Sequence, residues 1–86
     1  MLWYTKLKYI LVVIYMLTWL REDSDLNQTQ VAKVLNIAQR TYSSYETGDR
    51  TIPYSALVML ARFYNTSVDY ILDMTDQTKP YPPKKK

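Results

Sequence analysis

Between residues 39 and 44 the chain reads QRTYSS, which sets an amide (Gln39), a guanidinium (Arg40) and two hydroxyls (Ser43, Ser44) close together. On a helix these four share the outer face, while Tyr42 and Tyr45, three apart, turn inward. Such groups donate and accept hydrogen bonds in fixed geometries. The chemistry open to them is recognition, because little else in the chain supports bond breaking. There is no cysteine and no histidine, which removes disulfides, thiol nucleophiles, imidazole bases and the usual zinc ligand sets. A single glycine excludes a glycine-rich phosphate loop. The acids Asp23 and Asp25 fall beside a turn and read as helix-end solvation, and Met59 and the other methionines read as core filler. No catalytic residue, metal site, cofactor or small-molecule ligand is expected.

The elements that must carry this face follow from apolar periodicity and caps. At 86 residues the chain holds one small domain that needs most of its apolar positions for folding. Leu17 and Leu20, with Leu26 beyond, mark a first helix running to about Ser24. Asn27 then caps a second over residues 28–35, with Gln30 as the reciprocal capping partner and Leu26 and Val31 as the hydrophobic staple. Asn36 stands where the backbone must turn left-handed. A third helix covers residues 39–47 and closes at Gly48. Pro53 fits the first turn of a fourth, which buries Leu57, Leu60, Ala61 and Tyr64 and ends at Asn65. Ser67 caps a fifth carrying Val68, Ile71 and Leu72 inward, with Asp69 near its positive end.

Charge and composition divide the chain into three zones. Residues 1–15 are apolar, aromatic and β-branched, residues 16–74 carry the helical pattern, and residues 75–86 form a Pro/Lys-rich tail of disordered or polyproline type. The net charge is +3, yet residues 20–76 hold five cations against eight anions. The basic excess lies in the two ends, so any nucleic-acid binding must depend on local placement. The terminal lysines read either as solubilising or as mobile phosphate contacts.

Three stretches, LREDSDLNQTQVAKVLNI, YETGDRTIP and LVMLARFYNTSVDYIL, resemble the Cro and lambda-repressor type of helix-turn-helix regulators, the xenobiotic-response-element family, over about residues 16–73. The resemblance implies an all-α, five-helix lambda-repressor-like DNA-binding domain. It implies that the second helix rests on the DNA backbone while the third enters the major groove. Gln39, Arg40 and Ser44 are then base-reading candidates, with Thr41 and Ser43 on the same DNA-facing helix. Gln28 and Arg50 would meet phosphates. Glutamine pairs bidentately with adenine, arginine with guanine, and serine with several bases, so this face has the groups to discriminate sequence. Arg21 and Glu46 occupy the positions of a family ion pair that ties the third helix to the first.

The chain departs from the family pattern at several positions. Ala38 stands where a Ser or Thr usually caps the third helix, and it offers no oxygen. Tyr42 and Tyr45 replace aliphatic or tryptophan side chains and are expected at the core boundary, where their hydroxyls find acceptors or water. Asp49 opposes a phosphate at Arg50. Residues 9–20 are apolar apart from Thr18 but fall short of the roughly 17–25 residues of a membrane span, and no span is expected. The N-terminal zone has three readings: an extension of the first helix packed on the domain, a self-association element, or sequence upstream of a natural start at Met16. The expected function is a cytoplasmic, sequence-specific DNA-binding transcriptional regulator of the repressor kind, acting on double-stranded DNA as a homodimer. The alternative is a protein-interaction module of the same fold that works through its apolar N-terminal segment.

Overall fold

The computed structural model describes residues 2–82, with side chains from residue 7 onward. Among these residues the protein is all-α, with no strand: α1 (Leu2–Asp23), α2 (Gln28–Leu35), α3 (Gln39–Thr47), α4 (Tyr54–Phe63) and α5 (Val68–Ile71). The five largest fully buried side chains, Leu17, Val31, Tyr42, Leu60 and Ile71, come one from each helix, so a single core ties the elements together.

Local chemistry sets where the helices start. At α2 the Asn27 Oδ1 accepts from the Gln30 amide and Gln30 Oε1 accepts from the Asn27 amide, both at 2.8 Å. This reciprocal pair satisfies two donors that a helix start otherwise leaves open. Ser67 Oγ accepts the Tyr70 amide at 3.1 Å and starts α5 in the same way. Pro53 is the N-cap of α4 and precedes its first turn, one step earlier than its missing amide hydrogen suggested. Ala38 is the N-cap of α3 and makes no side-chain bond.

Each helix end reverses through a left-handed residue. Asp25, Asn36, Asn65 and Asp73 have φ between 56° and 58°, and Gly48 has φ 85°. At Asn36 this conformation turns the next amide, that of Ile37, back onto the Ala32 carbonyl at 3.0 Å, and α3 begins after two further residues. At Gly48 a Cβ would lie 2.7 Å from Ile14 Cδ1, so glycine lets α1 pass close to the end of α3.

Residues 2–23 form one uninterrupted helix, so the boundary drawn after residue 15 falls inside α1. Val13 and Met16 sit in the core beside Leu17 and Leu20. No helix among the described residues is long and apolar enough to cross a membrane. Residues 75–82 carry no helix or strand, and the lysines at 84–86 lie outside the described residues. Tyr42 departs from the expected boundary position: it is fully buried, while Tyr45 is half-buried beside it with the rings edge to face at 6.4 Å. The reason is volume. The core also includes the small residues Ala32, Ala56 and Ala61, and a close-packed interior with such residues needs large side chains to fill it.

Candidate nucleic-acid interface

The α2 start, the α3 outer face and the α3–α4 loop hold the predicted site residues, and a chain of hydrogen bonds joins several of them to the core. Arg21, in the last turn of α1, donates from Nε to Glu46 Oε2 at 2.7 Å and from Nη2 to Glu46 Oε1 at 3.0 Å. Its Nη1 donates to the Leu26 carbonyl at 3.0 Å. The pair is largely buried, with side-chain exposures of 14% for Arg21 and 5% for Glu46. Two more donors reach the same carboxylate: Thr18 Oγ1 at 3.2 Å and Gln28 Nε2 at 3.1 Å. Burial alone would raise the Glu46 carboxyl, but hydrogen bonds led by that from Arg21 hold it below the ordinary carboxylate range.

Gln28 extends the chain outward. Its Oε1 accepts from Gln39 Nε2 at 2.7 Å, so the first residue of α3 is tied through Gln28 to Glu46 and then to Arg21. That bond uses one amide hydrogen of Gln39 and leaves its other hydrogen and its oxygen facing out, the donor and acceptor that an adenine edge requires. The capping box satisfies the Gln30 amide, while Gln28 and Thr29 find no backbone acceptor among the described residues. These open donors lie at the positive end of α2.

On α3, Gln39 and Arg40 are exposed, whereas Thr41, Ser43 and Ser44 are half-buried. Ser44 is more constrained than its place on the outer face suggests. Its hydroxyl donates to the Thr41 carbonyl at 2.6 Å, which leaves its oxygen to accept. Arg50 closes the end of α3 with its backbone amide on the Ser44 carbonyl at 3.1 Å, and its side chain is exposed. Asp49 accepts from Thr47 Oγ1 at 3.2 Å and forms no ion pair with Arg50.

Behind this face two phenols are buried with no hydrogen-bond partner among the described residues, Tyr42 and Tyr64. Burial and then the nearby Glu46 carboxylate hold Tyr42 well above the ordinary phenol range. Burial, and then the charge of the Glu46 carboxylate, push Tyr64 up to about 12. Sequence reasoning missed the bridging roles of Gln28 and Thr18. Both depend on how α1 and α2 meet α3, and no local spacing carries that information.

Five helices in this order, with the second and third joined at left-handed Asn36, define a helix-turn-helix domain of the lambda-repressor-like fold. The chain belongs to the helix-turn-helix family, of the Cro and lambda-repressor type, which it matches over residues 17–71. It is 43% identical over 61 residues to the HTH-type transcriptional regulator YobD of Bacillus subtilis, covering 71% of this chain and 54% of that protein. It is 36% identical over 66 residues to the HTH-type transcriptional regulator AnsR of the same organism, covering 77% of this chain and 57% of that one. The cryptic phage CTXphi transcriptional repressor RstR of Vibrio cholerae is 35% identical over 49 residues, covering 57% of this chain and 44% of that protein. The chain thus spans about half the length of the relatives it matches. No solved structure gives a significant match.

Proposed function

We propose that the protein is a sequence-specific DNA-binding transcriptional regulator of the repressor kind, with α3 reading base edges in the major groove. The observation that carries this reading is the bonded chain from Arg21 through Glu46 and Gln28 to Gln39, which holds an outward-facing glutamine on a buried scaffold. Gln39 pairs with an adenine and Arg40 with a guanine. Ser44, with its hydrogen already donated, accepts from a base amino group, and Thr41 and Ser43 flank these contacts. The open amides at the start of α2, with the Gln28 side chain, meet a phosphate, and Arg50 meets another.

Selection of preferred sites from random duplexes tests this assignment. Arg40→Ala should cost about 1–3 kcal/mol on the preferred site and flatten one base position. Arg50→Ala should weaken all sequences alike. Unchanged base preferences in Gln39→Ala, Arg40→Ala and Ser44→Ala would refute base reading by α3 and favour a protein partner.

A further inference from the structure

We propose that the outer face of α1 is a self-association surface, on which a second copy of this chain packs antiparallel about a two-fold axis beside Tyr15. The face away from the core carries an apolar stripe, with Leu11 57%, Tyr15 64% and Trp19 40% exposed. A helix offers such a row to a partner helix as a ridge. A shallow apolar depression of about 380 Å³, lined in part by Leu7, Leu11, Val12 and Met16, runs along one side of Tyr15. A second, of about 370 Å³, lies between Leu11, Ile14, Thr18 and Trp19. Ridge and depressions give the face both halves of a helix packing surface.

Charge and spacing select the occupant. Lys8 and Glu22 bound the stripe, both exposed, and neither is in an ion pair among the described residues. Asp73 shares the depression beside Lys8 without bonding it. The positions 8, 11, 15, 19 and 22 are spaced three, four, four and three, which reads the same in both directions. Reversal about Tyr15 therefore sets Leu11 against Trp19 of the second copy and Lys8 against its Glu22. A parallel pairing would instead oppose Lys8 to Lys8 and Glu22 to Glu22. A two-fold contact between identical chains must be self-complementary in this way. The apolar stripe is only about 12 Å long at 1.5 Å per residue, and about 21 Å with its bounding charges. The association is accordingly concentration-dependent, at the small and weak end of the interface range.

The natural chain has no cysteine, so engineered thiols report the contact directly. On oxidation Tyr15→Cys should give a disulfide-linked dimer, because a residue on the axis meets its own copy. Leu11→Cys alone and Phe63→Cys, on α4, should not. Leu11→Cys combined with Trp19→Cys should link again. In sedimentation equilibrium Lys8→Glu or Glu22→Lys alone should weaken the dimer about fivefold, and the two together should restore it. A monomer at every concentration, linkage through Phe63→Cys in place of Tyr15→Cys, or no recovery in the double charge swap would overturn the proposal. All of these measurements are made without DNA, so their failure leaves the reading of α3 untouched.

Discussion

Replacing Glu46 with alanine removes the acceptor of four side-chain hydrogen bonds and leaves the Arg21 guanidinium with the Leu26 carbonyl alone. Breaking a buried ion pair from one side costs about 3–5 kcal/mol, most of it the penalty of the stranded charge. Arg21 keeps 14% of its side chain exposed and retains one bond, which places the expected loss near the lower end, about 3 kcal/mol. At roughly 0.05–0.15 kcal/mol per residue the whole chain carries on the order of 4–13 kcal/mol, so the variant should approach unfolding. Its thermal midpoint should fall by about 12 °C or more. Glu22→Ala, at an exposed position outside any ion pair among the described residues, should stay within about 0.5 kcal/mol. Urea and thermal unfolding of both variants measure the difference. Acid supplies a second arm. The Glu46 carboxyl is held below its ordinary value of 4.5, so its contribution is complete above that pH and is lost as pH falls through the lower folded value. The advantage of the wild type over Glu46→Gln should therefore shrink below about pH 4.5. Equal midpoint shifts for Glu46→Ala and Glu22→Ala, or an advantage that does not change in acid, would refute the reasoning.

Gly48→Ala should cost about 1–2 kcal/mol, since a side chain at φ 85° is strained and its Cβ meets Ile14 Cδ1. In an Ile14→Val background, which lacks that methyl group, the added cost should be smaller by about 0.5 kcal/mol in a double-mutant cycle of urea midpoints. Asn27→Ala should lose about 1 kcal/mol through the α2 cap, and the capped Gln30 amide should exchange its hydrogen faster. Tyr64→Phe removes a buried hydroxyl that has no partner among the described residues, and its thermal midpoint should match or exceed that of the wild type.

The parts of this fold written in local chemistry were legible in the sequence. The Asn27 and Gln30 pair, the left-handed Asn36, Gly48 and Ser67 each punctuate the backbone within a few residues, and α2 begins and ends, α3 ends and α5 begins where these signals set them. α1 was harder to read. Its outward Leu11, Tyr15 and Trp19 are as apolar as its inward Val13, Leu17 and Leu20, so periodicity gives no single face, and no breaker separates residues 2–15 from the rest. At the candidate site the positions of Gln39 and Arg40 followed from helix geometry. The burial of Tyr42 and the donation by Ser44 did not. The first depends on how the helices pack into one core, and the second on the choice of a hydroxyl rotamer.

The left-handed helix ends also act on the chain before it folds. Four of the five are asparagine or aspartate, and only Gly48 uses the residue that adopts such angles without strain. A glycine at each would relax the native turn but would widen the range of conformations the denatured chain explores. At positions that tolerate a side chain, replacing glycine raises stability by about 0.4–1 kcal/mol through that narrowing. Asparagine and aspartate tolerate these angles better than other side-chain residues, which keeps the opposing strain small. Part of what holds so small a core together is therefore the restricted freedom of its unfolded chain, a contribution that no contact in the native structure records.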